Sequence, residues 1–185
     1  QSKLPQEINE SNMPEQSRYK PIEVDSEEKM LEMVRDMSLE QSIPFMKIFD
    51  FAMKQRISGS SDMIGEPPKI ITLGGGGVGK TFMINVTAKW TEKILRKAGD
   101  NPLKPKVVLL APTGMAANLI GGTTLQSGLA LKFGTKYLSL QDAKREEFRT
   151  LFEDLALIIV DELSMVSADA LYDVHRRLQE IFVSQ

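Results

Sequence analysis

The sequence predicts an α/β fold: a parallel sheet flanked by helices on both faces, with a helical or disordered lead-in ahead of it. Three observations predict it. Short runs that are apolar almost throughout, residues 69–73, 106–111 and 155–160, read as strands buried on both faces. Patterns of helical period separate them, as in alternating strand–helix architectures. Each run is also followed at once by unusual sequence: "GGGGVGKT", "APTG" and "DELSM". In such sheets ligands bind beyond the carboxyl ends of the strands, so the three candidate chemical elements are expected at one edge.

Taken in order, residues 1–27 are polar and carry Pro5, Pro14 and Pro21, which predicts a disordered or extended lead-in. The remainder, 28–185, is expected to be one nucleotide-binding domain. Residues 28–57 place Met30, Leu31, Met33, Val34 and Met37, then Phe45, Ile48, Phe49 and Met53, at helical spacing, with Pro44 separating two helices or starting the second. Residues 58–68, "SGSSDMIGEPP", are a loop by composition. Residues 69–73 form the first expected strand, and a helix should run from near Lys80 to near Gly99. Residues 106–111 form the second strand. A short helix over 113–120 should stop at Gly121-Gly122. Residues 141–153 read as a helix through Phe148, Leu151 and Phe152, and 155–160 as the third strand. From Ser167 a last helix carries Leu171, Val174, Leu178, Ile181 and Phe182 on one face.

Composition narrows the chemistry. The chain has 185 residues, 42% apolar and 26% charged, within the range of soluble globular domains. No apolar run reaches the roughly 20 residues that cross a bilayer, so no membrane partner is expected. With no Cys and a single His, His175, thiol catalysis, disulfides and Cys- or His-rich metal sites are excluded. A metal must be held by oxygens, as Mg²⁺ is. His175 sits among Arg176 and Arg177 on the last helix and reads as a surface residue. Residues 1–68 carry 8 Lys/Arg against 13 Asp/Glu, and residues 69–185 carry 15 against 12. The glycine-loop half is the mildly basic half, which permits a nucleotide or nucleic-acid partner without requiring one. The first residue is Gln1, consistent with a fragment or processed chain, and no signal-peptide pattern opens it.

Gly74-x-x-x-x-Gly79-Lys80-Thr81 fits the phosphate-loop pattern. Glycines let backbone N–H groups turn toward phosphate oxygens without Cβ interference, and the helix that follows aims its unsatisfied N–H groups at the anion. In that arrangement residues Gly74, Gly75, Gly76, Gly77, Val78 and Gly79 form the cradle, Lys80 reaches the β- and γ-phosphates of ATP, and the Thr81 hydroxyl serves Mg²⁺. Asp161 and Glu162 follow a buried strand directly. An acidic residue there is suited to hold Mg²⁺, and its neighbour to orient and deprotonate the attacking water. Thr113-Gly114, after a strand and before a helix, is either a nucleic-acid phosphate contact or an ordinary strand-to-helix turn.

The combination of "GGGGVGKT", "APTGMAANLIGGTTLQS" and "LIIVDELSMVS" resembles motifs I, Ia and II of the PIF-family 5′-to-3′ DNA helicases, relatives of RecD in superfamily one. The resemblance covers about residues 37–185. It implies a RecA-like ATP-binding and hydrolysing domain, with single-stranded DNA as partner and roles in DNA repair, recombination and telomere maintenance in the nucleus or mitochondrion. The protein is expected to be a monomer. By position, Thr113 and Gly114 would touch the DNA backbone. "MSLEQ" is similar to the family's leading Leu-Asn-x-x-Gln element, whose glutamine reads the adenine; Gln41 takes that place, with Ser38 where the family has Asn. Gln126 stands where the family usually has His, and an amide can still donate to phosphate or base. Gly76 and Gly77 are expected by the family pattern, which leaves Gly75 as the surplus glycine.

The family continues past motif II into a γ-phosphate-sensing segment and a second RecA-like domain with transition-state arginines. The chain ends at Gln185, ahead of both, so the resemblance implies a truncated domain. An arginine finger is worth roughly 10³–10⁵ in rate. The 185 residues alone are therefore expected to bind Mg-ATP weakly and not to unwind DNA. Two other readings stay open: a non-enzymatic ATP-binding or interaction module, and another phosphate-loop enzyme such as a kinase. The kinase reading leaves "APTG" without a role.

Overall fold

The computed structural model describes residues 19–58, 66–183. Its centre is a parallel three-stranded sheet in the order β2-β1-β3, formed by β1 (Val107–Ala111), β2 (Thr123–Thr124) and β3 (Leu157–Val160). Val107 to Leu110 pair in register with Leu157 to Val160, and Leu110-Ala111 pair with Thr123-Thr124.

β1 is buried along its whole length, and its alternation divides the core. Val108 and Leu110 point into one cluster with Leu125, Leu129, Phe148, Phe152, Val174 and Ile181. Val107, Leu109 and Ala111 point into another with Met83, Ile84, Ala88, Ala116 and Ile120. β3 alternates in the same way, Ile158 and Val160 against the first cluster, Leu157 and Ile159 against the second. Helices thus cover both faces, which is why the strands read as continuous apolar runs. Each large side chain so buried contributes about 1.5–3 kcal/mol.

On one face lie α3 (Lys80–Leu95) and α4 (Gly114–Leu119); on the other lie α5 (Leu125–Gly128), α6 (Asp142–Leu151) and α7 (Ala168–Phe182). α1 (Glu27–Arg35) and α2 (Leu39–Ser58) pack outside α3, where Ala52 meets Ile94 and Leu95 and the Phe49 and Trp90 rings meet edge to face at 5.6 Å. Residues 19–26 have no regular secondary structure, yet the Tyr19 hydroxyl donates to the Gly128 carbonyl and Asp25 pairs with Lys29 and Lys89. The rest of the expected lead-in, 1–18, lies outside the described residues, as does most of the expected loop over 58–68.

Several expectations need correction. Residues 69–73 form no strand: they pair with no other segment among the described residues, and Ile71 and Leu73 are 74% and 94% exposed. An apolar β-branched run has strand propensity, but a strand needs a neighbouring edge to bond to. Pro44 lies inside α2 and divides nothing. The break falls at Asp36, which caps α1, and Ser38 restarts the chain ahead of the proline. α3 ends at Leu95, not near Gly99, because Arg96 turns extended and its guanidinium bonds the carbonyls of Asn101 and Lys104. β2 and α5 were unexpected. Gly122 brings the chain against β1 so closely that a Cβ there would lie 2.3 Å from the Leu109 carbonyl oxygen.

Candidate nucleotide site

The glycine loop enters α3 through two residues in the left-handed region, Gly77 at φ 76° and Gly79 at φ 79°. Gly79 is the N-cap of α3 and brings no side-chain cap, so the first N–H groups of the helix are left for another acceptor. Lys80, in the first turn, donates from Nζ to the carbonyls of Gly74 (3.0 Å) and Gly75 (2.8 Å). Its ammonium is thus folded over the loop. Around Gly75, Gly76 and Gly77 there is open space: a Cβ on any of them would meet nothing within 4 Å. A cation over a glycine loop that leads into a helix N-terminus without a side-chain cap suits a triphosphate. Thr81 is half-buried in the same turn.

Gln41 reaches this loop from the start of α2. Its Nε2 donates to the Val78 carbonyl at 2.9 Å, while its Oε1 accepts the Ser38 N–H at 3.0 Å. Ser38 Oγ in turn accepts the Gln41 N–H at 3.3 Å. This reciprocal pair is a capping box, S-x-x-Q, legible in "SLEQ" but not read from it.

The acidic pair follows β3. Asp161 is 7% exposed, and its own N–H bonds the Leu110 carbonyl across the sheet. Its carboxylate accepts the Glu162 N–H at 2.9 Å, and no Lys or Arg pairs with it among the described residues. A buried carboxylate without a cationic partner is costly, and a bound cation removes that cost. Glu162 is exposed and holds a left-handed backbone at φ 53°, which is uncommon for a residue with a Cβ. No group of three or more acidic or His side chains forms a metal cage among the described residues. Mg²⁺ would suit such a site, since it is commonly held by one or two carboxylates plus substrate phosphates.

Asp161-Glu162 and Thr113-Gly114 leave adjacent parallel strands and so share the carboxyl edge of the sheet, as expected. The phosphate loop does not follow a strand. No hydrogen bond or ion pair joins Asp161 or Glu162 to Lys80 or Thr81 among the described residues. Thr113 is the N-cap of α4, its hydroxyl accepting the Ala116 N–H at 3.2 Å, and Gly114 is exposed in the first turn. Gln126 is half-buried in α5, with its Oε1 enclosed and unpartnered. His175 is exposed, whereas its neighbour Arg177 is 2% exposed.

The AAA domain family matches residues 61–182. The chain belongs to the AAA domain family. It is 32% identical over 114 residues to a protein of Campylobacter jejuni named ATP-dependent DNA helicase Pif1, covering 57% of this chain and 24% of that one. It is 27% identical over 130 residues to the protein of the same name from Bdellovibrio bacteriovorus, covering 68% and 27%. A viral relative, uncharacterized protein 030L of Invertebrate iridescent virus 6, is 24% identical over 137 residues, covering 71% and 24%. The chain spans about a quarter of the length of these curated relatives. No solved structure matches. These matches bear out the motif resemblance: the AAA domain is Pif1-like, and it stands with helicase-family ATPases at low identity.

Proposed function

We propose that the chain is the ATP-binding motor domain of a PIF-family 5′-to-3′ DNA helicase, acting on single-stranded DNA in repair, recombination and telomere maintenance, in the nucleus or mitochondrion. One observation carries the reading: a glycine loop runs into an uncapped helix N-terminus with Lys80 turned over it. Mg-ATP, when bound, supplies the phosphoanhydride whose cleavage drives the motor. The loop N–H groups hold the phosphates, and Lys80 exchanges two carbonyl acceptors for the terminal phosphates. Thr81 and Asp161 hold the metal, and Glu162 orients the attacking water and takes its proton. Thr113, Gly114 and Gln126 meet the DNA strand.

A second reading is a nucleotide-binding or interaction module without turnover. It is favoured by the absence, among the described residues, of a hydrogen bond or ion pair between the acidic pair and Lys80 or Thr81. ATP turnover measured with and without single-stranded DNA, on the longest natural protein containing this chain, separates the two. The helicase reading expects turnover to rise with DNA. It also expects Glu162→Gln to keep ATP binding while losing hydrolysis by at least about 10²-fold. Equal loss of binding and hydrolysis contradicts the role given to Glu162, and ATP binding without turnover supports the module.

A further inference from the structure

α2 is apolar on two faces. One carries Phe49 and Ala52, packed on α3, with the Phe45 ring against Phe49. The other carries Leu39, Ile43, Met46, Met53 and Ile57, all exposed, from 36% at Met53 to 78% at Ile57. Their spacing alternates four and three residues, and exposed Asp50 takes the one polar place in the series. Leu39, Met46 and Met53 thus stand at the d positions of a heptad, and Ile43, Asp50 and Ile57 at the a positions. A solvated helix face is polar; an apolar seam with this period receives another helix. Over the 20 residues of α2 the seam is about 30 Å long. Its flanks are mostly basic, with Lys47, Lys54 and Arg56 exposed beside Glu40.

Charge selects the occupant. Asp50 lies near the middle of the seam and pairs with Lys54 on its own helix at 2.7 Å. The seam of a second copy would offer Asp50 only Asp50 in parallel order or Met46 in antiparallel order, and so no cation. A carboxylate at the centre also keeps the bare face in water, whereas the cores of permanent interfaces are depleted of charge. We propose that the outer face of α2 docks an amphipathic helix of another protein. That helix has apolar residues at its a and d positions, Lys or Arg opposite Asp50, and Glu or Asp along its edges to meet Lys47 and Lys54. α3 already holds α2 in shape, so only the incoming helix has to be ordered.

The test uses the longest natural protein containing this chain and two labelled helical peptides of the length of α2. The first has Ile at a, Leu at d, Glu at e and g, and Lys at the a position that faces Asp50. The second keeps the apolar seam but carries Lys at e and g and Glu facing Asp50. Fluorescence anisotropy is expected to show the acidic peptide bound about tenfold tighter than the charge-reversed one. Ile43→Asp should abolish that binding, and Lys47→Glu combined with Lys54→Glu should erase the preference. All three positions are exposed, so the circular dichroism spectrum should be unchanged in both variants. Equal affinity for the two peptides would make the face merely adhesive and overturns the proposal. Binding of neither peptide overturns it too, whether the face is idle or covered by another part of the same polypeptide. A concentration-dependent dimer in sedimentation, lost in Ile43→Asp, gives the seam to a second copy and overturns it as well.

Discussion

Gly74 to Gly77 look alike in sequence but occupy different surroundings. Gly77 and Gly79 sit at positive φ, where a Cβ is strained, while a Cβ on Gly74 would come within 3.0 Å of Val78 Cγ2. Gly75 has neither restriction, so Gly75→Ala should remove freedom from the loop at no steric cost. ATP binding, measured by calorimetry, is expected to tighten by about 0.4–1 kcal/mol; an unchanged or weaker affinity would contradict this. Gly79→Ala is expected to do the reverse, because it adds about 1–2 kcal/mol of backbone strain and pushes into Gln41. ATP affinity should fall by more than tenfold in that variant while the circular dichroism spectrum is unchanged. The loop was legible because its pattern is contiguous. Its contact with Gln41 was not, because a bond between Gln41 and Val78 leaves no mark on either local sequence. The capping box was local and could have been read.

Among elements, β1 and β3 were legible because a strand buried on both faces must be apolar at every position. β2 was not, since two threonines after two glycines carry no such run; what places them is the close approach at Gly122. The segment 69–73 shows the converse. It has the composition of a strand and none of the pairing, a property set by neighbours and not by its own residues. Burial separates the elements energetically too. Phe148 on α6 is fully enclosed, whereas Leu39 at the start of α2 is 75% exposed. Phe148→Ala is expected to cost about 3–5 kcal/mol and Leu39→Ala less than about 0.5 kcal/mol. Urea denaturation gives both values, and similar costs at the two positions would mean that the first core cluster is misplaced.

Across the molecule, Arg177 joins distant parts of the chain. Its guanidinium pairs with Glu180 and donates to the carbonyls of Ala130 and Leu138, tying the 130–140 loop to α7. Its buried position was missed because a charged residue beside His175 and Arg176 reads as solvated surface. Glu180 completes the clamp. Burial would raise its pKa, but the Leu140 N–H, the Ser139 hydroxyl and Arg177 together outweigh that and hold it below the ordinary 4.5. A carboxyl whose pKa is depressed by folding adds stability that is fully present above 4.5. That stability is lost as pH falls below this value and through the lower folded one. Unfolding followed from neutral pH down to about pH 3 should therefore show an acid loss of stability that is shallower in Glu180→Gln. An identical acid limb in the two proteins would remove Glu180 from the account.

The nucleotide site joins these scales, and Lys80 is its centre. The most direct measurement is Mg-ATP binding by the purified chain, by titration calorimetry, beside Lys80→Ala. The account predicts binding in the parent protein, with at least a tenfold loss in the variant. Equal affinity in both, with the variant folded, would mean that the glycine loop is not a phosphate cradle.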